Sequence, residues 1–186
     1  MSKNKCDIAI IGAGTSGIFA AYELINKNPS LDIIMLEQGN DIYNRKCPSV
    51  NRATKDCINC RICSIMRGFG GAGAFSDGKY NFTTEFGGWL NEYISDEEVM
   101  DLINYVDSIN VKFGATLEKH STFTEEARSI EKKALENDLH LLKASVKHLG
   151  TENNLNILKK LFEYLSNKID ILCHTAVKNI LPSGNK

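Results

Sequence analysis

Three groups of residues in this chain have types and spacings that could do chemistry. The first is Gly12-Ala13-Gly14-Thr15-Ser16-Gly17, set between the apolar run Ile8 to Ile11 and Ile18. Gly12 permits a tight turn out of a strand, Gly14 lacks the Cβ that would block a diphosphate, and Gly17 lets a helix lie close to a sheet. The start of the helix that follows the motif offers unpaired N–H groups and about half a positive charge to an anion, and Thr15 and Ser16 within the motif are further candidate contacts. Glu37 stands at the end of the next apolar run, Leu31 to Leu36. A carboxylate about 20 residues past the glycines can accept hydrogen bonds from ribose hydroxyls and disfavours a 2′-phosphate. An ordinary turn with a solvated glutamate is the plainer reading, but strand, glycines, helix and acid in this order favour a dinucleotide, either FAD or NAD.

The second group is Gly68-Phe-Gly70-Gly71-Ala-Gly73-Ala-Phe-Ser76-Asp77-Gly78-Lys79, with five glycines in twelve residues. Such a run bares backbone N–H groups to a flat or anionic ligand. An extended cofactor such as FAD must be held along its whole length, so a second glycine segment favours FAD over NAD; a hinge is the alternative. Ser76, Asp77 and Lys79 could contact flavin or phosphate, or be polar turn residues. The third group is Cys57-x-x-Cys60-x-x-Cys63, with Cys47-Pro48 ten residues upstream. These four thiols could ligate an iron–sulfur cluster, for which the spacing is common although Cys-Pro here precedes the triplet, or zinc, or they could remain thiols or form a disulfide. Nearby Arg52, Lys55, Arg61 and Arg67 would lower thiol pKa values and suit any of these. Cys6 and Cys173 read as small core residues.

The elements that must position these groups form an α/β pattern. Ile8 to Ile11, a helix from Ile18 to Lys27 stopped by Asn28-Pro29, and Leu31 to Leu36 make a βαβ unit with parallel, buried strands. Periodicity is then lost from Gln38 to Lys79. Between Arg45 and Lys79, seven cations face two carboxylates, and the segment reads as a local basic site. Amphipathic patterning returns in Ser95 to Asn110, where Ser95 and Glu98 have capping-box spacing, and Thr122 with Glu125 repeats it before Ala127. Leu139 to Val146 reads as a short strand, Leu155 to Leu165 as a helix, and Ile169 to Cys173 and Ala176 to Ile180 as two more strands.

Composition excludes several classes. The chain has 186 residues, 42% of them hydrophobic and 24% charged, which is enough for a core and unlike disorder. A net charge of -1 gives no global field for nucleic acid or anionic membranes, and no apolar run approaches a membrane span. The expectation is a cytoplasmic protein with a small-molecule substrate. No nucleophile elbow is present. His148 could exchange protons with a substrate or be structural; Phe86, Trp89 and Tyr93 could line a pocket, with core packing the favoured reading. No residue receives a catalytic role.

Ile10-Ile-Gly-Ala-Gly14-Thr-Ser-Gly17, Cys57-x-x-Cys60-x-x-Cys63, Gly68 to Lys79, Tyr105-Val-Asp107 and His148-Leu-Gly-Thr151 together resemble a family of uncharacterised FAD-dependent dehydrogenases. The resemblance spans nearly the whole chain. It implies a Rossmann-like FAD-binding sheet, residues 1–81 with return strands at 167–186, and an inserted, mainly helical cap at 82–166. FAD contacts would fall to Gly12, Gly14, Gly17 and Glu37, and to Gly70, Gly71 and Gly73, with NAD(P) as an electron donor or acceptor. Members are much longer, so the chain is expected to be an N-terminal piece, truncated before its sheet is complete. A sheet edge would then stand unpaired unless a second chain supplies strands. A fragment that binds nucleotide or metal without turnover, and an NAD-dependent dehydrogenase, are the alternative functions.

Overall fold

A computed structural model describes residues 5–50 and 56–182. Along the chain run β1 (Ile8–Ile11), α1 (Thr15–Lys27), β2 (Ile33–Leu36), β3 (Lys79–Phe82), α2 (Asp96–Lys112), β4 (His120–Ser121), α3 (Glu125–Leu135), β5 (Ser145–His148), α4 (Gly150–Ser166) and β6 (Asp170–Leu172), with 3-10 turns at Ala72–Phe75 and Leu90–Glu92. The fold is mixed α/β. Two compact units divide it, Met1–Ser76 with Leu158–Lys186, and Asp77–Ile157, so α4 contributes to both.

The first unit holds a parallel sheet in the order β1-β2-β6. Its register pairs Ile8 with Ile33, Leu36 with Ile11, and Leu36 with Leu172. α1 buries Ile18, Ala21, Tyr22 and Ile25, the i, i+3, i+4, i+7 stripe of an amphipathic helix. It ends where Asn28, the residue before Pro29, takes an extended conformation. α4 packs against it in this unit, with the Tyr22 and Tyr164 rings 5.6 Å apart and the Tyr164 hydroxyl donating to Asn26 at 2.8 Å. Phe69 meets Phe162 edge-on at 4.9 Å.

β2 is central and its Ile33, Ile34 and Met35 are all buried. β1 is not. Ile8 and Gly12 donate to Asp32 O and Leu36 O at 3.2 and 2.8 Å, so by strand alternation the N–H groups of Ala9 and Ile11 point away from β2. Among the described residues no strand pairs with that edge, and Ile11 is 54% exposed.

The second unit holds an antiparallel sheet in the order β3-β5-β4. Ser95 caps α2 through the full capping box with Glu98, as the spacing predicts. α3 is capped by Thr124, whose side chain accepts from Ala127 N at 3.2 Å, and not by Thr122. The Thr122 hydroxyl is engaged elsewhere: it donates to Ala144 O at 3.1 Å and accepts from Ala144 N at 3.0 Å. The strand expected at Leu139 to Val146 forms later, at Ser145–His148, where β3 and β4 offer partners. Ala176 to Ile180 forms no strand, because no sheet edge pairs with it among the described residues, and Ile180 stays exposed. No helix among the described residues is long and apolar enough to cross a membrane.

Candidate functional site

The glycine turn sits at the C-terminal ends of β1 and β2, where ligands of open α/β sheets bind. Gly12 has φ +95, a conformation that a side chain would strain, and its N–H donates to Leu36 O at 2.8 Å. A Cβ on Gly17 would lie 2.0 Å from Gly12 O, so α1 can start this close to the turn only with glycine there. Gly14 differs. A Cβ at that position would meet nothing within 4 Å, and it would project into open space beside the start of α1. Gly14 is the N-cap, no side chain caps the helix, and no acidic residue lies in its first turn. Thr15 and Ser16 are exposed. Donors and a partial positive charge therefore face solvent, an arrangement suited to an anion.

Glu37 and Arg45 build the wall beside this turn. Glu37 is only 6% exposed. Its Oε2 accepts from Ala13 N at 2.8 Å, and its Oε1 accepts from Gly39 N at 2.8 Å and Gly68 N at 3.1 Å. One carboxylate thus joins the first glycine turn, the end of β2 and the second glycine segment. Arg45 is 3% exposed. Its Nε donates to Ser64 O at 2.9 Å, its Nη1 to Phe69 O at 2.8 Å and Gly71 O at 2.7 Å, and its Nη2 to Ile65 O at 2.7 Å. The guanidinium also lies 4.9 Å from the centre of the Phe75 ring. Burial pulls its pKa below the usual arginine value, and the Glu37 charge opposes that shift.

The second glycine segment is held against the first. Gly70 N donates to Ala13 O at 2.8 Å, and a Cβ on Gly71 would lie 3.2 Å from Gly14 Cα. Gly73 is exposed on the 3-10 turn, with open space at its Cβ position. Glu37, Gly12, Gly14, Gly17, Gly70 and Gly71 therefore gather in one place. Sequence reasoning missed Arg45 as an organiser: it stood among the cations of a basic site, and nothing in its flanking residues distinguishes it from the exposed Lys46. The basic-site reading is corrected for Arg45, whose charge is spent on carbonyls inside the fold. Arg52 and Lys55 lie outside the described residues.

Cys47, Cys57, Cys60 and Cys63 are all free, and among the described residues no three His, Cys, Asp or Glu side chains are placed to hold a metal ion. The donor set does not fit a cluster or zinc in this arrangement. Cys63 has its pKa lowered by the amides of Met66 and Ile65, then by Arg45 and Arg67. Cys173 goes the other way, pushed from 9.0 to about 11 chiefly by burial.

In the second unit, Asp77 pairs with Lys79 at 2.9 Å on the surface, which lowers the Asp77 pKa, and His148 is exposed. Trp89 and Tyr93 are 79% and 81% exposed, so the core-packing reading of these aromatics is overturned. They flank a short 3-10 turn that buries none of its residues. The sequence also concealed a buried ion pair. Lys147 Nζ, with a side chain 1% exposed, donates to both Asp107 carboxylate oxygens at 2.7 Å. Beside it, Tyr80 has its pKa raised by burial and then by the Asp107 charge, and its hydroxyl donates to Asn154 at 3.0 Å. A surface depression of about 250 Å³, lined by Asp32, Ile33 and Ser166 to Asp170, lies at the opposite strand ends from the glycine turn.

No family model matches this chain, and no curated protein matches it. Among solved structures, an L-amino acid deaminase from Proteus myxofaciens in complex with anthranilate is similar over 98% of this chain and 41% of its own, at 14% identity and TM-score 0.41. An L-amino acid deaminase from Proteus vulgaris is similar over 92% of this chain and 40% of its own, at 10% identity and TM-score 0.38. The chain spans less than half the length of either protein.

Proposed function

We propose that this chain is the FAD-binding part of a flavin-dependent oxidoreductase acting on a small molecule. The observation that carries the reading is the uncapped start of α1 facing open space at Gly14, with a second glycine segment pinned beside it. That cradle fits a dinucleotide, since a Cβ at Gly14 would occupy the room a diphosphate needs. The N–H groups at Gly14 to Gly17, with the Thr15 and Ser16 hydroxyls, would hold the diphosphate. Glu37 Oε2 receives one backbone donor, and its remaining lone pair would accept a ribose hydroxyl. Gly70, Gly71 and Gly73 would extend the binding backbone beyond the diphosphate. Bound flavin would supply hydride or electron transfer, and the protein's part is to bind and orient it.

The bare edge of β1 favours a second reading, in which turnover needs further strands from a second chain. Titration of the purified protein with FAD, followed by quenching of flavin fluorescence, tests the first reading. Saturable binding that Gly14→Val weakens at least about tenfold, with unchanged circular dichroism, is the expected result. Absence of binding by the wild-type chain would falsify it. NAD taken up in preference to FAD would redirect the reading to a nicotinamide enzyme.

A further inference from the structure

A buried arginine that touches no carboxylate within ion-pair distance among the described residues, yet donates four hydrogen bonds to backbone carbonyls, shapes the backbone it holds. The peptide unit is planar and trans, so each carbonyl drawn toward Arg45 sends the following N–H the opposite way. The Phe69 carbonyl turned inward places Gly70 N–H on Ala13 O at 2.8 Å, at the mouth of the first glycine turn. The Gly71 carbonyl turned inward places the Ala72 N–H outward, on an exposed residue that directly follows Gly71, whose Cβ position lies 3.2 Å from Gly14 Cα. At 3% exposure the guanidinium is too enclosed to act as a surface cation for phosphate.

We infer that Arg45 is a positioning residue for the flavin half of the cofactor: it fixes the Gly68–Gly71 backbone so that the outward amide at Ala72 meets the cofactor beyond the diphosphate. The inference rests on the flavin reading above. The donors it uses span a planar fork, Nε and both Nη atoms, and reach carbonyls from Ser64 to Gly71. An ammonium is a compact point donor and cannot span them, so lysine does not replace arginine here. ADP needs only the Gly12–Gly17 turn and Glu37, whereas FAD also needs the second segment. Arg45 should therefore separate the two nucleotides.

The test is to measure FAD and ADP affinity for the wild-type chain, Arg45→Lys and Arg45→Met by calorimetry. Both variants should lose at least about tenfold in FAD affinity and stay within about twofold for ADP. Equal losses for both nucleotides, or an unchanged FAD affinity, overturn the inference. Hydrogen exchange on the wild-type protein needs no variant: FAD should slow exchange at residues 71–73 as well as 13–17, and ADP at 13–17 alone. FAD that leaves 71–73 unprotected also overturns it. A wild-type chain that binds neither nucleotide sinks the flavin reading and this inference together, while normal wild-type binding of both with an unchanged ratio in the variants sinks the inference alone.

Discussion

Replacing Glu37 by alanine would leave the N–H groups of Ala13, Gly39 and Gly68 without their acceptor in a buried setting. An unsatisfied buried donor costs about 1–3 kcal/mol, so Glu37→Ala should destabilise the fold by about 3 kcal/mol or more in urea unfolding. Glu37→Gln keeps one amide oxygen as an acceptor and should cost less; equal costs for the two would show that the carboxylate is not what joins the segments. The cysteines allow a second prediction at this scale. Iodoacetamide near neutral pH should label Cys63 ahead of Cys173, because amides and arginines favour the Cys63 thiolate while burial disfavours that of Cys173. Cys173 also makes stability depend on pH. Its pKa is raised from 9.0 to about 11, so folding favours the thiol. The contribution is complete below about pH 9 and is lost as pH rises through 11, and Cys173→Ala should flatten that alkaline decline. Glu37 was legible from its place after β2, as a carboxylate beside the glycine turn. That its oxygens face three backbone donors was not, since those donors come from segments up to 31 residues away.

At the scale of elements, local rules worked where the partner was local. Ser95 and Glu98 satisfy each other across three residues, and the helix starts where they stand. Ser95→Ala should destabilise the protein by about 1 kcal/mol, read as a lower midpoint in thermal unfolding. The same rule misplaced the start of α3 because Thr122 hydrogen-bonds to Ala144, a partner 22 residues away. β5 was misplaced for a related reason: its limits are set by β3 and β4, and Leu139 to Leu142 lack a strand to pair with. The start of α1 depends on a contact of another kind. Gly17→Ala would drive a Cβ to within 2.0 Å of Gly12 O, so the turn and the helix start must separate. Loss of nucleotide binding together with a lowered unfolding midpoint is the expected outcome, and a variant that unfolds and binds like the wild type would count against the close approach.

For the whole molecule, the open question is the edge of the parallel sheet. Parallel strands are ordinarily buried on both faces, and β2 is, but β1 presents Ile11 to solvent and outward amides at Ala9 and Ile11. An unpaired edge of this kind invites association. Ile11→Lys should leave the unfolding free energy within about 0.5 kcal/mol of wild type and reduce concentration-dependent association in analytical ultracentrifugation. Association that is unchanged by the substitution would place the sticky surface elsewhere, for example on the exposed Trp89 and Tyr93 of the other unit.

The amino-acid order alone determined the βαβ opening, the glycine turn, the acid after β2 and the Ser95 cap, because each depends on periodicity or on residues a few positions apart. Only the tertiary structure decided that Arg45 is an internal clamp, that Lys147 is buried on Asp107 and that, among the described residues, no three cysteines form a metal site and β1 has no second neighbour. Those outcomes depend on which distant groups come within hydrogen-bonding reach or leave a strand without a neighbour, and nothing in the spacing of residues along a chain encodes that distance directly.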